Sequence, residues 1–202
     1  MDSWLHIIIQ QSTLYVLPVL ISMTLVAWLE ARLCQQNIPH PFYAITSWQA
    51  WLPFWASIFF TRGMIISSIR PITHGLRAAM VRALAHALLM LLGFVLYAWS
   101  VAHPAPTGLP PIHHWWAKVF MFYNLCMLIM HLLPLPNLCM GELLQRRQQG
   151  TSWMASYAAF FNEQRTWIVM TALAASPLLD ISLGAWLVYP IYADLATWAV
   201  TL

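Results

Sequence analysis

The side chains able to hold a metal or move a proton are few and scattered. Eight histidines occur in 202 residues, His6, His40, His74, His86, His103, His113, His114 and His131, and no two stand four apart. An H-E-x-x-H helix sets two imidazoles one turn apart on one face, with a glutamate between them as base, so no copy of that arrangement exists. Cys34, Cys126 and Cys139 fall in or beside apolar runs without C-x-x-C spacing, which points to small buried thiols rather than a disulfide framework or a zinc ribbon. Glycine-rich phosphate loops, a Ser/His/Asp order and paired carboxylates are absent, and "TRG" and "THG" are not nucleotide motifs.

Two histidines stand at places where they can meet. His86 lies about seven residues from the inner end of one apolar segment and His131 near the inner end of the next, and segments joined by a short loop are usually neighbours. A facing pair of this kind can ligate haem, a chlorophyll-type pigment or a transition metal, and Cys139 close by would make a mixed site. The plainer alternative is a hydrogen bond from each imidazole to a backbone carbonyl. His103, His113 and His114 gather around the proline loop "HPAPTGLPP" at 103–111, where tryptophans make an interfacial role the first expectation and copper or zinc capture the second.

The elements that must position these groups belong to a bilayer. The chain is 61% hydrophobic and 7% charged, against about 25% charged in soluble domains. Uncharged runs cover 3–29, 33–61, 83–117 and 119–141, each as long as the roughly 20 residues that a spanning helix needs. A net charge of +3, thinly spread, excludes nucleic acid as a partner. The N-terminus has no basic n-region and no small-residue cleavage site, so a cleaved signal peptide is not expected. No polar connector is long enough to bury a core of its own, and residues 1–202 form a single integral membrane domain.

Spanning helices are expected at about 12–33, 79–101 and 113–133, with a hairpin or pair between 166 and 201. Segment 43–61 is long enough to cross, yet Pro53, three tryptophans and several hydroxyls suit a re-entrant piece equally well. If it does not cross, Arg32, Arg62, Arg70, Arg77, Arg146, Arg147 and Arg165 share one side, which the positive-inside rule makes cytoplasmic, with the N-terminus outside. Trp99, Trp115 and Trp116 would then be outer anchors and Trp28 and Trp153 inner ones. The expected fold is an all-α bundle of about four to six membrane segments, with a proline-interrupted helix and a re-entrant piece at 43–61. Arg82, four residues into its apolar run, reads as a snorkelling anchor; Asp180 and Asp194 read as groups facing a cavity or a partner.

The interruption is "HLLPLPNLCMGELL" at 131–144. Pro134 and Pro136 each remove a backbone donor and disfavour helix in the residue before them. Backbone groups freed at membrane depth cost several kcal/mol apiece unless something covers them.

The longer stretch "NLCMLIMHLLPLPNLCMGELL" at 124–144 resembles the segment of site-2 proteases, intramembrane zinc metalloproteases, that runs N-L-L-P-I-P-x-L-D-G. Upstream, "THGLRAAMVRALAHALLMLLGFVLYAW" at 73–99 resembles the family's A-G-P-x-x-N helix and the arginine-bearing approach to it. "LISMTLVAWLEARLCQQ" at 20–36 resembles the helix carrying H-E-x-x-H. The resemblance spans roughly residues 14–180. It implies that Ser22 and Val26 occupy the positions of the two zinc histidines, Met23 that of the glutamate and Cys139 that of the aspartate, with Met140 where the family has glycine and His131 where it has asparagine. None of the first three can do the family's chemistry, and one thiol falls short of the three protein ligands a catalytic zinc uses.

What the resemblance implies is therefore a proteolytically inactive relative with no cofactor, serving as a structural or assembly subunit whose partners are the lipid bilayer and other integral membrane subunits, in a bacterial inner membrane. The freed carbonyls of the break are expected under the helix at 12–33. Two other readings stay open: a membrane subunit binding haem, a pigment or a metal such as zinc through His86 and His131, or His131 and Cys139; and a metalloprotease with an unorthodox site.

Overall fold

In the computed structural model, residues 2–40, 48–68, 71–104, 110–148, 152–161 and 163–201 are described. Every regular element among them is helical. Residues 43–47, Arg70 and the tip of the proline loop at 105–109 lie outside the described residues.

Helix α1, Asp2–Leu33, is apolar along its length and carries Pro18 within it. Ser12, Thr13 and Thr24 turn their hydroxyls back onto the carbonyls four residues earlier, which removes their polarity from the apolar surface. Helix α2, Trp48–Phe59, has twelve residues, or about 18 Å. Thr61 then takes a left-handed turn at φ 49°, and the chain returns as an extended run. Met64, Ile65, Ile66 and Ser67 are almost wholly buried, and the Ser68 N–H donates to the Ala50 carbonyl at 3.1 Å. Both ends of the 48–68 segment are thus at one place, and Arg62 sits at the far end of α2 from them.

Helix α3, Leu76–Ala102, runs against helix α4, Ile112–Met130. Gly93 lets the two backbones approach: a Cβ there would stand 2.7 Å from the Met121 nitrogen. α4 is the axis of the fold, with Met121, Tyr123, Leu125, Cys126, Met127 and Met130 all buried. Val19 and Met23 of α1, Phe54 and Ile58 of α2 and the 64–66 run close around it. Because its neighbours, not lipid, meet most of its surface, α4 tolerates Asn124 in the interior.

Beyond the break come the short helices α5, Cys139–Arg147, and α6, Ser152–Phe160. Helix α7, Glu163–Ala175, packs on α2. A turn at Pro177 leads into a π-helix, Asp180–Val188, continuous with α8, Tyr189–Thr201.

Among the described residues two helices are long and apolar enough to cross a membrane, Ser3–Leu33 and Leu76–Ala102; a third crossing arises if Gln164–Ala175 and Asp180–Thr201, bent by 75°, count as one. The span expected at 113–133 is present as α4, but its two histidines, Lys118 and Asn124 keep it out of that set. The lowering comes mainly from its first two turns, where His113 is exposed and His114 and Lys118 are half-buried; of the four only Asn124 lies at the centre of the bundle.

Candidate functional site

The proline break is accounted for almost atom by atom. The His131 carbonyl receives the Met140 N–H at 3.1 Å, and the Leu135 carbonyl receives that of Leu138 at 3.2 Å. The Pro134 carbonyl takes the Tyr157 hydroxyl at 2.8 Å, and the Asn137 carbonyl takes Arg82 Nη2 at 2.7 Å. The Asn137 N–H goes to Glu142 Oε1 at 3.0 Å, and its side chain meets His74 Nδ1. α5 doubles back so tightly that a Cβ on Gly141 would lie 1.9 Å from the Leu135 oxygen. The cover expected from the helix at 12–33 thus comes, among the described residues, from α3, from α6 and from the segment itself.

Arg82 does not snorkel. It is 2% exposed and pairs with Glu30 of α1, which is fully buried, at 2.7 Å. Glu30 Oε1 also receives the N–H groups of Ile72 and Thr73 and the Thr73 hydroxyl. Arg82 Nη1 reaches the Thr73 carbonyl as well. One guanidinium therefore fastens α1, the 72–73 turn and the proline break to α3. A charge this deep needs a counter-charge and directed donors to be tolerated, and both are in place.

A second polar chain crosses the bundle nearby. Asn124 gives its amide hydrogens to Ser22 Oγ and to the Phe120 carbonyl, both at 2.8 Å, so its Oδ1 is the acceptor for His86 Nδ1 at 2.9 Å. The His86 and His131 ring centroids are 6.3 Å apart, and His131 Nδ1 receives the Cys139 N–H at 3.3 Å. The Nε2 atoms of both histidines are buried without a hydrogen-bond partner. Ser22 and Cys139, two of the positions matched to protease ligands, thus lie at the ends of two short hydrogen-bonded runs, Ser22–Asn124–His86 and His131–Cys139, that meet only where the two rings approach.

Met23 is packed in the core around α4, and Val26 lies against Ala85, Leu89 and Phe120. Cys139 is half-buried; burial pushes its thiol above the ordinary range, with Arg82 pulling down and Glu142 pushing up. No group of three or more His, Cys, Asp or Glu converges closely enough to hold a metal among the described residues. The outer histidines serve local roles: His103 donates to the Trp99 carbonyl and stacks on its ring, and His114 meets the Ser100 hydroxyl. Asp180, expected to face a cavity or partner, receives the Gly63 and Met64 N–H groups and the Tyr189 hydroxyl, while Arg62 donates to the Ala175 carbonyl. Asp194 is exposed on α8.

Sequence reading missed Glu30 and Asn124. Each was visible as a polar residue in an apolar helix, the signal that led to Arg82 and His86, but neither announces its partner, 52 residues away for Glu30 and 102 for Asn124.

Two openings flank these chains. A groove of about 500 Å³ runs between α1, α3 and α4, lined by Leu17, Ile21, Leu25, Leu92, Leu96 and Phe120 among others. A cleft of about 450 Å³ lies over the break, bordered by His74, Asn137, Glu142 and Gln145. Compared with known proteins, the chain matches no family model, no curated protein and no solved structure.

Proposed function

We propose that this chain is an integral membrane protein on the plan of the site-2 proteases, proteolytically inactive, that works as a structural or assembly subunit by packing against the transmembrane helices of its partners. The observation that carries the reading is the state of Ser22, Met23 and Val26. All three are between 0 and 3% exposed, Ser22 is spent on Asn124, and Met23 and Val26 are packed among apolar side chains. No open coordination position faces a substrate there, and a catalytic zinc needs one.

In this reading α1, α3, α4 and the bent C-terminal pair cross the bilayer, and the 48–68 hairpin enters and leaves on one side, within the expected four to six segments. In the same reading the inner face carries Arg32, Arg77, Arg146, Arg147 and Arg165, and the positive-inside rule makes it the cytoplasmic side of a bacterial inner membrane. Arg62, at the hairpin tip, leaves that set. The apolar groove between α1, α3 and α4 accepts a partner helix, where dispersion and close packing supply the association.

Photo-crosslinkers at Ile21 and Leu25 in native membranes should give one discrete integral membrane adduct, while the same probes at exposed Trp186 give a smear. Chelator-sensitive cleavage of a transmembrane reporter that depends on Cys139 would overturn the proposal.

A further inference from the structure

We propose that the Nε2 atoms of His86 and His131 bind one soft monovalent d10 metal ion, Cu(I), between α3 and the end of α4. The site goes beyond the scaffold reading and does not depend on it.

Both imidazoles are at least nine-tenths buried, at 0 and 4% exposure, and both Nε2 atoms lack a partner. An unpaired buried polar atom costs about 1–3 kcal/mol, and two of them on adjacent rings mark a place built for something. The tautomer of His86 is fixed from behind: Asn124 Oδ1 must accept, so His86 Nδ1 carries the proton and Nε2 presents its lone pair. This is the outer-shell device that orients metal-binding histidines generally.

Distance fits a bridging ion. A metal–imidazole bond of about 2 Å, with the nitrogen about 1.1 Å from its own ring centre, sets the centroids of an in-line pair about 6 Å apart; the observed separation is 6.3 Å. A cavity of about 30 Å³ beside His131, bordered by Ser67, Arg82 and Met127, does not reach His86, so the ion would sit in the space between the rings and not in that cavity. The 6.3 Å between ring centres suits a single ion, whereas a tetrapyrrole would have to part α3 from α4.

Charge and ligand type choose the ion. The desolvation cost of an ion rises with the square of its charge, and Arg82, which borders the cavity beside His131, adds a repulsion that a divalent ion feels twice as strongly as a monovalent one. A divalent ion would find no carboxylate free to offset it. Among the described residues no third His, Cys, Asp or Glu completes the three or four ligands that zinc prefers, whereas Cu(I) accepts two. The Met127 thioether beside His131 already receives the Ser67 N–H at 3.4 Å, so the two imidazoles are the ligand set.

Binding moves one proton. In the ion-free protein His131 Nδ1 accepts from the Cys139 N–H, which leaves the proton on Nε2. Binding therefore needs the other tautomer of His131: the Nε2–H bond breaks, the ion takes the lone pair it frees, and a proton ends on Nδ1, so none is released in net and Nδ1 can no longer accept the 3.3 Å contact from the Cys139 N–H. The first turn of α5 therefore shifts with the ion.

The test uses the purified full chain with Cys34→Ser and Cys139→Ser, which removes the accessible competing thiols. It is titrated with Cu(I) held by a chromophoric chelator under reducing conditions. One ion per chain is expected, with an X-ray absorption edge of two-coordinate nitrogen ligation. His86→Gln or His131→Gln should weaken binding by at least about 100-fold. Asn124→Ala, which keeps both imidazoles and loses the tautomer lock, should weaken it about 10-fold. Imidazole 15N shifts of unsubstituted histidines, followed during the titration, require no folded variant: movement of both Nε2 signals supports the site. Copper uptake indifferent to both histidines, preference for Zn(II), a co-purifying haem or pigment on the same rings, or no uptake would each overturn it.

Discussion

Replacing Arg82 by methionine keeps much of the unbranched stem and removes every donor. Glu30 would be left as a fully buried carboxylate whose remaining hydrogen bonds, from Ile72 and Thr73, all fall on Oε1, with Oε2 already bare. The Asn137 carbonyl at the break would lose its guanidinium partner too. Breaking a buried pair from one side costs about 3–5 kcal/mol, because the surviving charge stays uncompensated. Glu30→Leu should cost a similar amount for the mirror reason. In the double variant both charges vanish, and what remains is the loss of a few neutral hydrogen bonds at about 1 kcal/mol each. The double change should therefore cost no more than either single one, which makes the coupling at least as large as one single cost, about 3–5 kcal/mol. Equilibrium unfolding in mixed micelles, read by tryptophan fluorescence, measures all three. Single variants within about 1 kcal/mol of the parent, or costs that add to within about 0.5 kcal/mol, would refute the claim that the pair acts as one unit.

Two further outcomes follow from the geometry around the break. Gly141→Ala should destabilise by about 1–3 kcal/mol, since the new methyl meets the Leu135 carbonyl, which is backbone and cannot swing aside; an unchanged melting temperature would contradict that close approach. The Cys139 thiol, pushed up by burial, is neutral over a wider pH range than a free thiol. Its alkylation at pH 8 should be slower in the folded protein than in unfolded chain and should speed up only at higher pH. A Cys34→Ser background with mass-spectrometric readout checks this, and equal rates in both states would count against the assigned environment.

Several features could be read from residues alone because their signals are local. The presence of the two most apolar helices and the helix break at Pro134 and Pro136 come from uninterrupted composition and from proline's missing donor, although α1 begins at Asp2, ten residues before the expected start at 12. The approach of His86 to His131 followed from two helices joined by a short loop. Pairings across long separations were not readable. The partner of Arg82 is 52 residues away on α1, and an arginine four residues into an apolar run satisfies the snorkelling rule equally well on paper. α4 looked like an ordinary span since its apolar run is long enough, although its place at the centre exempts it from meeting lipid. The cover for the break was assigned to α1 by resemblance, and it is instead one side chain of α3 that reaches the Asn137 carbonyl.

The nine residues of π-helix beneath α8 have a mechanical meaning. In an α-helix, positions nine apart are two and a half turns apart and point to opposite sides. The wider i→i+5 coil uses about two full turns for the same count, which brings Tyr189 over Gly184 and onto Asp180. Asp180 in turn grips the chain at Gly63 and Met64. Tightening this coil to ordinary pitch would unlatch the tyrosine and swivel α8 by a fraction of a turn, so its thirteen residues are clocked by a bond at the base of their own stalk.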